Sequence, residues 1–291
     1  MKKILLTGAQ GQLGRAIRRE YGESVDFLLT DMAEAEGISS LDISDESRVL
    51  SAVREFGPDL IINCAAYTNV DGCEKNEELA YQANAVGPGN LAKAAASVEA
   101  GLVHISTDYV FRGDGSRPYV ETDEPDPISA YGRTKLAGEK AVMDNCDSYY
   151  ILRTAWLYGE GKNFVRTMLA LSENHDEISV VCDQLGTPTS ATELAAMIHF
   201  LSDRDAFGIY HATCEGDTNW ADFTEEIFRR TGRDTRVRHV TSDEYAAMNP
   251  EAASRPKYSI LENEALKNYT DDFSMAQWED ALLRYLKESG Y

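Results

Sequence analysis

Two residues of this chain could work as an acid–base pair: Tyr131 and Lys135, in the run Ser129-Ala130-Tyr131-Gly132-Arg133-Thr134-Lys135. On a helix, a spacing of four puts both side chains on one face, so a phenol and an ammonium would enter one pocket. A free tyrosine titrates near ~10 and is a poor acid or base at neutral pH. An ammonium held close favours the phenolate and lowers that value. Tyr-x-x-x-Lys also arises by chance in helices, so its meaning depends on what surrounds it.

A phosphate cradle stands at the start of the chain. Lys3 to Thr7 is a short apolar run, and Gly8-Ala9-Gln10-Gly11-Gln12-Leu13-Gly14 follows at once. Leu13, Ile17 and Tyr21 then recur at helical spacing, which reads as strand, glycine turn, helix. Gly8 permits the tight turn, Gly11 the approach of a pyrophosphate, and Gly14 the packing of helix on strand. The spacing is G-x-x-G-x-x-G rather than the commoner G-x-G-x-x-G. Asp31 follows a second strand, Val25 to Thr30, where a carboxylate can bind the adenosine ribose hydroxyls. Such a carboxylate repels a 2′-phosphate and slightly favours NADH over NADPH, while Arg15 pulls the other way; both cofactors stay open.

The elements that must position these groups alternate. Ile38 to Ile43 is a short segment, and a helix runs from Ser44 or Asp45 to Phe56. Leu60 to Ala66 reads as a buried parallel strand. Its small terminal residues, Ala65 and Ala66, let a flat ligand lie on the backbone beyond the strand end. Tyr67 to Asp71 reads as loop, Glu77 to Ala100 as one long helix, and Leu102 to Ser106 as a strand entering Thr107. A polar loop from Arg112 to Asp126 precedes the helix carrying Tyr131, and Tyr149 to Tyr158 reads as a further strand. The fold class is α/β, a Rossmann-type doubly wound parallel sheet. Beyond Gly161 the alternation is irregular: helices over 163–171, 192–201, 219–231 and 274–287, extended runs over 177–181, 208–213 and 236–240. We divide the chain into a dinucleotide-binding domain, 1–160, and a smaller, mainly substrate-binding lobe, 161–291. The boundary is soft, near Gly159 to Asn163, and segments can interleave.

Bulk properties narrow the function. A net charge of −21 over 291 residues leaves no basic stripe for nucleic acid. It also means that an anionic substrate needs local basic groups. No apolar run reaches the roughly 18 residues of a membrane span. The opening Met1 to Leu6 is interrupted by Gly8, Gln10, Gly11 and Gln12 and reads as a first strand, not a signal peptide. Cys64, Cys73, Cys146, Cys182 and Cys214 are odd in number and lack metal-ligand spacing, as expected of reduced thiols in a cytoplasmic protein. His104, inside an apolar strand, reads as a core histidine.

Together the Gly8/Gly11/Gly14 turn, Asp31, Asn63-Cys64-Ala65-Ala66, Ser106-Thr107 and Tyr131 with Lys135 resemble the extended short-chain dehydrogenase/reductases. A narrower set resembles the dTDP-4-dehydrorhamnose reductase family within them. It comprises Ala65 to Asp71, Ser106-Thr107-Asp108-Tyr109-Val110-Phe111, Tyr131 to Glu139, Arg153 to Gly159, Asp183 to Thr189 and Arg255-Pro256. The resemblance implies hydride transfer from NAD(P)H to the C4 carbonyl of a dTDP-4-keto-6-deoxyhexose. It makes Tyr131 the proton donor, Lys135 the residue that holds the nicotinamide ribose and keeps the phenol acidic, and Thr107 the clamp on the carbonyl oxygen. Cofactor contacts are implied at Gly8, Gly11, Gln12, Leu13, Gly14, Asp31, Asp42, Ile43, Ala65, Ala66, Tyr67, Tyr131 and Lys135. Substrate contacts are implied at Thr68, Val70, Thr107, Asp108 and Trp156, with Arg255 a candidate for the diphosphate.

Some members pair subunits through magnesium-bridged carboxylates, one just after the glycine turn. That position is Ala16 here, preceded by Arg15, and Glu193 alone could not hold the metal. We therefore expect no metal, and a monomer or weak homodimer. The rival readings are another nucleotide-sugar reductase or epimerase, and a silent regulatory subunit resembling that of methionine adenosyltransferase. A 4,6-dehydratase would place Asp-Glu after the threonine, where this chain has Asp108-Tyr109.

Overall fold

The structure is a computed structural model, described here for residues 1–250 and 253–291. The chain starts with β1 (Lys2–Thr7), α1 (Gln12–Tyr21), β2 (Val25–Asp31), β3 (Ser39–Ser40), α2 (Glu46–Phe56) and β4 (Leu60–Asn63). Next come α3 (Val70–Lys75), α4 (Glu77–Tyr81), a π-turn over Gln82–Val86, α5 (Gly87–Ser97), β5 (Gly101–Thr107), α6 (Ala130–Met143) and β6 (Tyr149–Thr154). The second half holds β7 (Leu157–Tyr158), α7 (Phe164–Ser172), β8 (Glu177–Val181), β9 (Leu185–Gly186), β10 (Thr189–Ser190) and α8 (Ala191–Ser202). It closes with β11 (Gly208–His211), β12 (Thr218–Asn219), α9 (Trp220–Thr231), β13 (Arg236–Val240), α10 (Ser242–Met248), α11 (Glu264–Tyr269) and α12 (Trp278–Glu288).

Seven strands form one sheet in the order β11-β6-β5-β4-β1-β2-β3, and each neighbouring pair is parallel. The alternation of side chains along each strand fills both faces. Ile4, Leu6, Ile62 and Leu152 meet Leu13 and Ile17 of α1 and Leu194 and Ile198 of α8. Leu5, Ile61, Leu102 and Ile151 meet Val49 and Val53 of α2, Leu91 of α5 and Val142 of α6. A separate core joins Tyr158, Leu169, Phe223, Ile227, Leu282 and Leu286.

The doubly wound sheet is the one expected, with four differences. Strand β11 and helix α8 lie beyond residue 160 yet complete the main sheet and its core, so the division at 160 is crossed. The expected helix from Glu77 to Ala100 is broken by the π-turn and ends at Ser97, where Glu99 takes φ +58°. The expected loop after Tyr67 contains α3, begun by Asn69, whose side chain accepts from Gly72 N. The expected strand from Tyr149 to Tyr158 splits into β6 and β7 because Trp156 adopts φ +48°, which no strand residue can hold.

Candidate active site

Reversal of strand order at β1 opens a crevice beyond the carboxyl ends of β1 and β4, where such sheets bind ligands. A cavity of about 1010 Å³ occupies it. Gly8, at φ +66°, has no room for a side chain, since a Cβ would lie 2.7 Å from the Cys64 carbonyl carbon. Gly14 likewise packs directly on the Gly8 carbonyl. Gly11 is the N-cap of α1 and offers no side-chain cap, so the first-turn amides stay available for an anion. The buried Gln12 Oε1 also has no partner among the described residues. The free first-turn amides are the donors that fit the pyrophosphate of a dinucleotide; the Gln12 oxygen is an acceptor.

Polar clamps fix the walls. Asp31 accepts from Gln10 N at 2.9 Å and from Met32 N at 2.8 Å. Asp42 accepts from the amide and hydroxyl of Ser44 at 2.9 and 2.7 Å. Asn63 accepts from Thr7 Oγ1 at 2.6 Å and Ala65 N at 3.2 Å, and donates to His104 Nδ1 at 3.0 Å. His104 is fully buried, and burial holds its pKa well below the usual value, so the ring is neutral. Asn84, inside the π-turn, accepts from Tyr67 N at 2.8 Å and donates to Tyr67 O and Thr134 Oγ1, both at 3.1 Å. A break in helical pairing at a functional wall is a recurrent use of the π-turn.

Ser129 caps α6 by accepting from Gly132 N at 3.1 Å, which sets Tyr131 in the first turn and Lys135 one turn on. Gly132 packs directly on the Tyr109 carbonyl, so α6 lies close against the segment carrying Thr107 and Asp108. Tyr131 and Lys135 both line the cavity. The expected coupling between them differs from the geometry. The ammonium of Lys135 donates to the Ile105 carbonyl at 2.5 Å. Burial, then the Asp108 charge, push the Tyr131 phenol well above its ordinary value, and the nearby Thr107 hydroxyl opposes them. Lys135 is itself lowered to about 8, by burial first, with Glu139 opposing. Helical spacing aligns the two side chains, but the lysine stem is long enough to reach past the phenol to β5.

Thr107 Oγ1 donates to Asp108 Oδ1 at 2.9 Å. Asp108 is 2 % exposed, its Oδ2 is unpartnered among the described residues, and burial lifts its pKa to about 6. Behind it a buried ion pair braces the sheet: Arg153 donates to both oxygens of Glu139 at 3.0 and 2.8 Å. Ser106 donates to Glu139 Oε1 at 2.5 Å.

This cavity is lined by Gly8, Gly11, Gln12, Leu13, Gly14, Asp31, Asp42, Ile43, Ala65, Ala66, Tyr67, Thr68, Val70, Thr107, Asp108, Tyr131, Lys135 and Trp156. Arg255 is not brought there. Its Nη2 pairs with Asp71 Oδ1 at 3.2 Å, and it stands beside Tyr109, which lines the cavity. Lys162 and Trp220 line the cavity and were missed. Lys162 lies within the soft domain boundary, and only the fold brings Trp220 to the site. The Trp156 and Trp220 rings stack at 3.6 Å and 11°.

Residues 1–290 match the family described as RmlD substrate binding domain. The dTDP-4-dehydrorhamnose reductase of Salmonella typhimurium is 39 % identical over 98 % of this chain and 97 % of its own. A crystal structure of the dTDP-4-dehydrorhamnose reductase of Clostridium acetobutylicum superposes with TM-score 0.93 at 47 % identity, covering 99 % of this chain and 100 % of that one. The Bacillus anthracis dTDP-4-dehydrorhamnose reductase, in complex with NADP, gives TM-score 0.91 at 40 % identity over 99 % and 100 % of the two chains.

Proposed function

This chain belongs to the RmlD substrate-binding-domain family, and from that premise we propose that it reduces the C4 ketone of dTDP-4-dehydro-L-rhamnose to give dTDP-L-rhamnose, with NADPH or NADH as hydride donor. The observation that carries this reading is a continuous cavity, in which a glycine cradle for a dinucleotide runs on into Thr107, Tyr131 and Lys135. The relatives' names supply the substrate.

The bound nicotinamide supplies a hydride to the carbonyl carbon. Gly11, Gln12 and the first amides of α1 hold the pyrophosphate, Asp31 the adenosine ribose, and Ala65 to Tyr67 the flat face beyond β4. Tyr131 donates its proton to the oxygen that gains charge as the carbonyl is reduced. Its raised pKa keeps that proton in place at neutral pH, as a donor requires. Thr107 steadies the same oxygen, a contribution of roughly 2–4 kcal/mol if it acts as an oxyanion donor. Lys135, anchored on the Ile105 carbonyl at 2.5 Å, has further ammonium protons with which to hold the nicotinamide ribose. Thr68, Val70, Asp108 and Trp156 shape the sugar site.

The reading also includes a cytoplasmic monomer or weak homodimer with no metal link. Ala16 is buried, and Glu193 pairs with Arg284 at 2.6 Å. No helix among the described residues is long and apolar enough to cross a membrane. The test is anaerobic mixing of the purified protein with NADPH or NADH and enzymatically made dTDP-4-dehydro-L-rhamnose. Loss of nicotinamide absorbance with formation of dTDP-rhamnose by mass spectrometry is expected; no turnover with either cofactor removes the assignment.

A further inference from the structure

Helix α6 grips the end of β5 at two successive residues. Lys135 donates to the Ile105 carbonyl at 2.5 Å. One turn on, Glu139 accepts from the Ser106 hydroxyl, also at 2.5 Å. The next residue of the strand is Thr107, which lines the cavity with Tyr131. Alternation along a strand turns Ser106 and Thr107 to opposite faces, so Glu139 holds the strand end from behind the cavity.

Arg153 completes the grip from a third element. The register of β5 on β6 sets Ser106 beside Arg153 and Thr107 beside Thr154. Arg153 donates to Glu139 Oε1 at 3.0 Å and to Oε2 at 2.8 Å, a two-point bond that fixes the plane of the carboxylate. The guanidinium is fixed in turn by the Phe111 ring, 5.1 Å away, and by the Glu121 carbonyl, which accepts at 3.4 Å. Glu139 thus joins one helix to two adjacent strands, directly behind the groups proposed for the chemistry.

Stability alone does not account for this arrangement. The two charged side chains are 0 % and 3 % exposed, and apolar residues often fill such a site without loss of stability. An apolar pair would occupy the space but could not hold Ser106 at a fixed distance from α6. In the reduction, the proton donor and the carbonyl clamp must meet at one oxygen. A displacement of about 1 Å in such a placement can cost ~10²-fold in rate.

We propose that Glu139, oriented by Arg153, is a positioning residue for the reduction: it sets the Thr107 clamp on β5 against Tyr131 and Lys135 on α6. The assignment rests on the reductase reading above and adds to it a residue that touches neither cofactor nor substrate. Its charge also acts on Lys135. Facing that ammonium are Glu139 from α6, with Arg153 behind it, Cys64 from beyond β4 and His104 from β5. Burial keeps the thiol protonated and the imidazole neutral. Glu139 is the anion among them, and it opposes the lowering of Lys135.

The test follows turnover of the full chain with NADPH and dTDP-4-dehydro-L-rhamnose across pH, beside urea denaturation of each variant. Glu139→Gln should lower kcat at least about tenfold with little change in KM. Its basic limb should move down from about pH 8, by roughly half a unit or more. Ser106→Ala keeps the ion pair, so it should lower kcat several-fold while the limb stays in place. Glu139→Leu combined with Arg153→Leu should regain stability but not kcat, which keeps the proposal testable if Glu139→Gln does not fold. A double variant that regains wild-type kcat with its stability overturns the proposal and marks the pair as purely structural. So does Ser106→Ala at wild-type kcat, or a folded Glu139→Gln whose kcat and pH profile match wild type. If the unaltered chain does not turn over the nucleotide sugar, the reductase reading fails and takes this assignment with it. That result is distinct, because it appears without any substitution.

Discussion

The hydroxyl of Thr107 donates to the neighbouring carboxylate of Asp108 at 2.9 Å. A threonine has one proton to give, so to steady a substrate oxygen Thr107 must withdraw that proton from Asp108. The carboxylate is already short of partners, because its second oxygen has none among the described residues. Asp108 thus competes with substrate for the one donor the ketone needs, and its protonation state governs the competition.

That relationship has a measurable stability consequence. Asp108 has an ordinary value of 3.8, raised to about 6 in the fold by burial. The folded chain therefore binds this proton more tightly than the unfolded chain, and stability falls as pH rises from about 3.8 through about 6. The penalty is on the order of 3 kcal/mol above that window. Asp108→Asn should remove it, so denaturant midpoints at pH 8 and pH 5 should differ less in the variant than in wild type. An unchanged difference would show that Asp108 ionises freely.

Lys135 has the opposite slope. Its amine, lowered from 10.5 to about 8, loses its proton in the folded chain before the unfolded one does. Stability from this group accordingly rises between about pH 8 and 10.5 as the buried charge is relieved. Catalysis that needs the ammonium should decline over the same range. A pH series on wild type and Lys135→Met separates the two: the variant should lack the rising stability contribution and the basic limb near pH 8.

Tyr131→Phe removes the proton donor while keeping the ring that meets Tyr109 at 5.5 Å. Stopped-flow reduction should slow at least ~10²-fold, with NADPH affinity nearly unchanged. A Phe variant of normal rate would take Tyr131 out of the mechanism.

Glu139 and Arg153 form an ion pair whose side chains are 0 % and 3 % exposed. Glu139→Gln leaves the guanidinium buried without its countercharge, and should cost about 3–5 kcal/mol in urea denaturation. Replacing both with leucine should recover much of that loss. Similar losses in the single and double variants would contradict the pairing argument.

Gly138 packs directly on the carbonyl of Asn84 in the π-turn. Gly138→Ala should displace Asn84 and, through it, the Tyr67 backbone that Asn84 holds by two hydrogen bonds. The expected result is weaker cofactor binding by calorimetry together with a lower melting temperature. Lower stability with intact cofactor affinity would show that the wall does not depend on this clamp.

Much of the site was legible because its parts sit in short local patterns. The glycine turn, Asp31 after β2, the small residues after β4 and the Tyr131–Lys135 spacing each follow from a strand or helix period and its boundary. Other parts were not legible, for reasons the residues show. Trp156 reads as strand until the left-handed backbone is seen. Lys135 reads as the activator of Tyr131 until its bond to Ile105 is seen. Arg255 reads as a free cation until Asp71 is found beside it.

The sequence by itself determined the doubly wound sheet, the dinucleotide cradle and the pairing of Tyr131 with Lys135 on one helix face, since backbone periodicity and glycine sterics act over a few residues. The tertiary structure alone decided which charges are neutralised and which groups meet. Asp71 and Arg255 are 184 positions apart, and Trp156 and Trp220, whose rings stack, are far apart in the chain. Partner choice over such distances depends on packing and desolvation of the whole chain, which no local pattern encodes.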